Sequence, residues 1–219
     1  LRYSKMKVEV TDHFLGNGND SGSLEYSHTT PVLGLCYAVS PTLNVYASAA
    51  RGFEAPTLNE LFYSGAGGGF NFNLKPATST NLEAGGKARI NHNTRLNAAV
   101  FQIHTNDELV VDSSSGGRTS YKNASKTLRQ GVEVSLDSSL PYGFTTKLAL
   151  TSLHAVYDEA FNGVREGSRL PGVPSANLFA ELAWKDTFDR YGAALEGVAA
   201  NKIYAEDSNA EKPAPGYTV

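Results

Sequence analysis

The side chains best suited to act on another molecule lie in polar, glycine-rich stretches. Tyr63, Phe70 and Phe72 surround the run 65–69, Gly-Ala-Gly-Gly-Gly, and Arg118, Lys122, Arg165 and Arg169 lie in or beside two further polar stretches. Aromatic faces stack on planar groups, and guanidinium or ammonium groups pair with carboxylate or phosphate. Such a set suits capture of a small aromatic or anionic ligand. Arg165 and Arg169 flank Glu166, so local ion pairing competes with that role. Nothing comparable exists for making or breaking bonds. His13, His28, His92, His104 and His154 are scattered, and no H-E-x-x-H, C-x-x-C or G-x-S-x-G is present. The glycine run lacks the Lys-Ser/Thr of a phosphate-binding loop and reads as flexible loop. No catalytic residue, metal ligand or cofactor is expected.

These residues must be positioned by strands. Strands, marked by the period-two alternation that gives one wet and one greasy face, are expected at 5–12, 32–39, 43–53, 81–90, 95–111, 121–137, 144–157, 173–185 and 191–200, and a further strand begins at 216. Alternation is poor around Ala98–Ile103, where a bulge is expected, and clearest in the second half of 121–137. Leu178, Ala180, Leu182 and Trp184 oppose Asn177 and Glu181, for example, and Leu82, Ala84, Ala88 and Ile90 oppose Asn81, Glu83, Lys87 and Arg89. The connections alternate in length. Those after the first, third, fifth, seventh and ninth strands are long, including 13–31 and 112–120, and the others are short. Short turns at one end and long loops at the other, joining strands longer than the globular mode of about 5–6 residues, are the pattern of an up-and-down membrane barrel. The expected fold is therefore all-β, part of an antiparallel transmembrane barrel, with about ten strands in one domain over 1–219. Lys87, Arg89, Glu83, Arg129, Glu133, Lys147 and Glu181 would line a polar interior, where Glu83 and Glu133 could pair with Arg51, Arg89 or Arg129.

Composition agrees. Tyr (11), Phe (10) and Gly (21) are frequent against one Trp, which suits strands and turns. The net charge of −3, with Lys and Arg dispersed, offers no basic stripe for nucleic acid. No apolar run reaches the ~18 residues of a membrane helix, a test that barrel strands escape. The single Cys36 lies in an apolar strand and reads as a small hydrophobe.

The stretch 51–85 ties this pattern to a family. Tyr46, Arg51-Gly52-Phe53, Ala55-Pro56, Glu60-Leu61-Phe62, Asn73-Leu74-Lys75-Pro76 and Asn81-x-Glu83-x-Gly85 resemble the C-terminal barrel half of TonB-dependent outer-membrane receptors. The resemblance continues through Val100-Phe101, Asp107-Glu108-Leu109-Val110, Tyr121-Lys122-Asn123-Ala124, Gly131-Val132-Glu133, Leu170-Pro171, Val173-Pro174 and Ala214-Pro215-Gly216-Tyr217. Ala77 stands where the family usually has Glu after Lys-Pro. The resemblance implies a 22-stranded barrel, of which both ends of this chain are cut, and a plug domain and final strands that lie outside it. It further implies TonB-energised uptake of a scarce ligand: a ferric siderophore, haem, cobalamin or pyrroloquinoline quinone. The implied partners are outer-membrane lipid and lipopolysaccharide, that ligand, and TonB acting through the plug. Arg51, Gly52, Phe53, Pro56, Glu60, Leu74, Pro76, Glu83, Gly85, Asn123, Gly131 and Glu133 would be framework. A passive porin, a structural barrel and a soluble all-β binding module are the competing readings.

Overall fold

The computed structural model describes residues 1–16, 18–64, 69–188 and 190–219. The strands are β1 (Arg2–Val10), β2 (Gly22–Thr30), β3 (Val32–Ser40), β4 (Leu43–Glu54), β5 (Ala77–Asn91), β6 (Thr94–Asn106), β7 (Leu109–Ser115), β8 (Arg118–Asn123), β9 (Lys126–Ser139), β10 (Phe144–Tyr157), β11 (Ala176–Lys185), β12 (Gly192–Ala200) and β13 (Tyr217–Thr218), with one short helix, α1 (Leu58–Leu61). Among the described residues, nine strands form one sheet in the order β13-β12-β11-β10-β9-β6-β5-β4-β3, and β1-β2 and β7-β8 form two hairpins. With the β7-β8 hairpin set aside, every neighbour in the large sheet is the next strand in sequence, the up-and-down plan.

Four expectations are corrected. The strand expected at 5–12 belongs to a separate two-stranded sheet, which leaves nine strands in the large one. Half of the expected connection 13–31 is β2, paired with β1 from Arg2↔Thr30 to Val10↔Gly22. Pro31, which has no N–H to give a ladder, separates β2 from β3. The expected strands 95–111 and 121–137 are each cut in two, at Asp107-Glu108 and Ala124-Ser125. Asp107 takes a positive φ of 54° there, and the connection expected at 112–120 is mostly the β7-β8 hairpin, turned by Gly116 and Gly117 at φ 59° and 78°.

The chain divides into two compact units. The first comprises Leu1–Val32, Ala50–Thr80 and His104–Thr127, and the second Leu33–Ala49, Asn81–Ile103 and Leu128–Val219. In the second, the two faces of the sheet separate by chemistry. Leu33, Leu35, Ala47, Ala49, Leu82, Ala84 and Val100 line one shallow apolar groove. The opposite parity of β4 and β5 carries Tyr46, Glu83 and Lys87: the Tyr46 hydroxyl donates to Glu83 Oε1 at 2.6 Å, and Lys87 Nζ lies 5.7 Å from the ring centroid. Glu83 is thus held by a tyrosine and not by an arginine. Arg51 is directed to Thr80 Oγ1. Across β10 and β11, Lys147 faces Glu181 in register with Nζ 3.1 Å from Oε1. Cys36 is exposed on β3, the last strand at one side of the sheet.

Two framework glycines owe their identity to rings lying across them. A Cβ on Gly85 would come 2.7 Å from Ala98 O and 2.7 Å from the Tyr46 ring and hydroxyl, and one on Gly131 would come 2.4 Å from Ser152 O and 2.8 Å from the Phe101 ring. Both approaches include backbone atoms, so a methyl group cannot be relieved by a side-chain rotation alone. Gly86, the next residue, would meet only Asn44 O at 3.7 Å and Val45 at 4.0 Å. Gly85→Ala is therefore expected to destabilise the protein by about 1–3 kcal/mol through overpacking. Gly86→Ala should stay within about 0.5 kcal/mol. Urea unfolding of the micelle-bound protein measures both, and equal effects at the two positions would remove the role given to the Tyr46 ring.

Candidate ligand-binding surface

The polar excursion between β4 and β5 is built from its buried residues outward. Pro56 and Leu61 are fully buried. Thr57 starts α1 through a capping box in which its N–H donates to Glu60 Oε2 at 2.6 Å and Glu60 N–H donates to Thr57 Oγ1 at 3.4 Å. Glu60 is accordingly a helix cap. Asn71 N–H returns to Leu61 O at 2.7 Å, and Asn71 Nδ2 donates to Tyr121 O on β8 at 3.2 Å. The buried Tyr26 of β2 donates its hydroxyl to Leu74 O at 2.7 Å. Asn123 then works as a three-way clamp. Its Oδ1 accepts Lys75 N–H, and its Nδ2 donates to Lys75 O and Asp107 O, each at 2.8 Å. Ala77 is buried at the start of β5.

On this framework the expected ligand residues of the first unit part company. Arg118, at the hairpin end of β8, lies over the Tyr63 ring with Cζ 5.4 Å from the centroid, and Phe62 packs beside Tyr63 at 6.0 Å. No described carboxylate pairs with Arg118. Lys122, on the same strand, is held 2.9 Å from Asp112, which a bulge between Val111 and Ser113 brings alongside it. Phe70 and Phe72 pack ring to ring at 4.9 Å, and Phe72 closes on Gly22, where a Cβ would lie 2.5 Å from the ring. Phe72 therefore pins its loop to the β1-β2 hairpin. Within the stretch 63–73, residues 65–68 lie outside the described residues.

Arg165 and Arg169 belong to the second unit. Arg165 is exposed and Arg169 half-buried. Arg169 is latched to the loop after β12: its N–H donates to Asn209 Oδ1 at 2.6 Å, and Asn209 Nδ2 donates to Arg169 O at 2.9 Å. Below this latch Tyr157, fully buried, donates to Asp207 Oδ1 at 2.6 Å, and Gly172 N–H reaches Tyr204 O at 2.9 Å. The two loops after β10 and β12 thus form one ledge. Tyr26, Tyr157, Asp207 and Asn209 were not legible from sequence. The only local signal was the Ser-Asn pair at 208–209, which suits a turn, and Asn209 does adopt a positive φ of 59°.

Replacing Asn123 by Ala removes three hydrogen bonds that tie residues on either side of two long connections. Limited proteolysis should cut within 62–76 faster in that variant, while the large sheet melts at an unchanged temperature. The ledge is expected to respond to pH. The Ser208 hydroxyl, then the N–H groups of Glu211 and Ser208, hold the Glu206 carboxyl below the usual carboxylate range. A group depressed on folding stabilises above its unfolded pKa, about 4.3 for Glu, and loses that contribution as pH falls through the folded value. Hydrogen exchange at 206–211, corrected for intrinsic rate, should be flat from neutral pH down to about 5 and rise below about 4. A flat profile through that lower range would show that Glu206 does not hold the loop.

Comparison with known proteins places this geometry. The model of the TonB dependent receptor-like, beta-barrel family matches residues 1–219. The vitamin B12 transporter BtuB of Vibrio vulnificus (strain YJ016) is 29% identical over 146 residues, 60% of this chain and 23% of its own length. Among solved structures, the copper transporter OprC superposes with a TM-score of 0.76 at 13% identity, over 99% of this chain and 34% of that one. The ferric yersiniabactin uptake receptor FyuA of Yersinia pestis gives 0.72 at 21% identity, over 99% and 32%. Likeness at these identities shows the fold, and the chain spans only 23% to 34% of the proteins it matches. A sheet in which each strand pairs with its neighbour in sequence, and a family match across every residue, lead to one conclusion: the chain belongs to the TonB-dependent receptor-like β-barrel family of the bacterial outer membrane.

Proposed function

We propose that this barrel segment serves a receptor that captures a scarce anionic metal chelate outside the cell and releases it inward when TonB acts on the plug. The observation that carries the ligand class is Arg118, set over Tyr63 with no described carboxylate beside it. A cation on an aromatic platform offers both charge and a stacking face, which a catecholate or phenolate ferric siderophore would use. Solved neighbours named for ferric yersiniabactin and ferric enterobactin support this reading. Cobalamin is the second reading, favoured by the relative named as a vitamin B12 transporter. A passive porin is the weaker alternative, because aromatic and cationic groups gathered by clamped loops serve retention and not free flow. Haem, a carboxylated planar metal chelate, falls within the same ligand class, and pyrroloquinoline quinone shares its carboxylates and planar rings without a metal.

Equilibrium binding to the full-length receptor separates these ligands, with ferric enterobactin, haem, pyrroloquinoline quinone and cyanocobalamin as probes. Arg118→Ala should weaken the anionic ligand about 10–100-fold, the loss expected for one charge-assisted hydrogen bond. Arg118→Lys should recover part of it. Tight binding of cyanocobalamin alone, indifferent to Arg118, would establish the second reading in place of the first.

A further inference from the structure

Resting on the reading of Arg118 as the ligand's charge contact, we propose that the same site takes an amphiphile. The ligand would be a ferric chelate whose anionic head meets Arg118 and Tyr63 and whose alkyl chain lies on Leu58 and Phe62. An apolar surface beside that cation carries the inference. Leu58 and Phe62 are 53% and 50% exposed, although Leu61 between them is fully buried. Four residues apart on one helical turn, the two side chains are neighbours on one face. From Phe62 the surface passes to the Tyr63 ring at 6.0 Å, and from that ring to Arg118, whose Cζ is 5.4 Å from the centroid. A single exposed leucine needs no explanation. An aliphatic side chain, two rings and a cation with no described carboxylate beside it, met in that order, match an amphiphile's chain, aromatic head and negative charge.

This surface is held in place by the fold itself. Glu60 Oε2 accepts the Thr57 N–H at 2.6 Å and the Thr57 hydroxyl at 2.8 Å, which fixes the start of α1. Glu60 is two residues from both Leu58 and Phe62, so the helical period sets it on the other side of the turn, and its carboxylate is spent on the cap. No charge from α1 therefore interrupts the apolar face. At the other end Phe62 N–H donates to Asn59 O at 3.4 Å, and Asn71 N–H to Leu61 O at 2.7 Å. The helix packs on β8, the strand that carries Arg118. Chain and head thus share one support, and an alkyl chain settling on α1 has no helix to order first. Its contact adds affinity in proportion to the apolar area it covers.

Equilibrium binding of two ferric chelates to the full-length receptor in nanodiscs tests this. Both are tris complexes of a catechol carboxamide, one N-methyl and the other N-octyl, so head and charge are shared and only the chain differs. The readout is the ratio of the two affinities within each variant, because partition of the octyl chain into lipid is common to all of them. The unsubstituted receptor should favour the octyl chelate at least about tenfold, the gain from covering about two methylenes. Leu58→Ser with Phe62→Ser should cut that ratio at least about fivefold, whereas Leu58→Met with Phe62→Leu, which keeps the apolar area, should retain it. Arg118→Ala should weaken both chelates alike and leave the ratio unchanged. A ratio near one in the unsubstituted receptor, or a ratio that survives the serine pair, would overturn this proposal while the loss in Arg118→Ala left the reading of Arg118 standing. Failure of either chelate to bind, or indifference of both to Arg118→Ala, would overturn the two together.

Discussion

A backbone in hydrocarbon has no water to satisfy it, and every other feature of this chain follows from how that requirement is met. In the large sheet each strand hydrogen-bonds to the next in sequence, so polar backbone groups are consumed strand by strand. Once the chain leaves the sheet the ladder must be replaced. In the first unit two hairpins supply backbone pairs, and side chains supply the rest: Asn123 for Lys75 and Asp107, Tyr26 for Leu74, Asn71 for Tyr121. In the second, Asn209 does the same for the Arg169 backbone, and the side-chain bond from Tyr157 to Asp207 braces the ledge. Long connections that would otherwise be loose are thereby fixed, around small buried clusters such as Tyr26, Leu61 and Leu74 in the first unit and Tyr157, Val164 and Leu170 in the second.

The same economy operates on the polar face of the sheet. A ring laid flat over a neighbouring strand fills space that would otherwise be water beside exposed backbone, but it needs a position without a side chain beneath it. Gly85 under Tyr46 and Gly131 under Phe101 provide such positions, and Gly22 under Phe72 repeats the arrangement in the hairpin. Framework glycine and ring are one structural unit in each case. Tyr46 shows that such a unit can also carry polar function, since its hydroxyl holds Glu83 while its face meets Lys87.

Legibility from sequence followed the solvent. Where one face meets lipid and the other a polar interior, as in β11 with Leu178, Ala180, Leu182 and Trp184 opposite Asn177 and Glu181, alternation is sharp and the strand is evident. Where water bathes the hairpin, both faces can be polar, and Gly22–Thr30 and Ser113–Ser120 look like loop. There the strand is held by partners that composition does not reveal, such as the hydroxyl pairs Ser113–Ser120 at 2.8 Å and Ser114–Thr119 at 3.2 Å. Of the site, the Thr57-x-x-Glu60 cap is a local pattern and was within reach of sequence reasoning. The meeting of Tyr63 with Arg118 was not, because 55 residues separate them and contacts distant in sequence, the clamps at Asn71 and Asn123 among them, bring their segments together.

Those clamps also explain why a candidate site reduces to so few groups. A loop side chain is available to a ligand only if the fold has no other use for it. Phe72 is spent on Gly22, Lys122 on Asp112, and the Arg169 backbone on Asn209. Arg118 and Lys122 share one parity of β8 with the buried Ser120 between them, yet only Lys122 meets a carboxylate, because the bulge delivers Asp112 to that position and to no other. A single irregularity in the β7-β8 ladder thus neutralises one cation and leaves the other over an aromatic ring. The charge left available in the first unit is set by strand geometry as much as by the residues themselves.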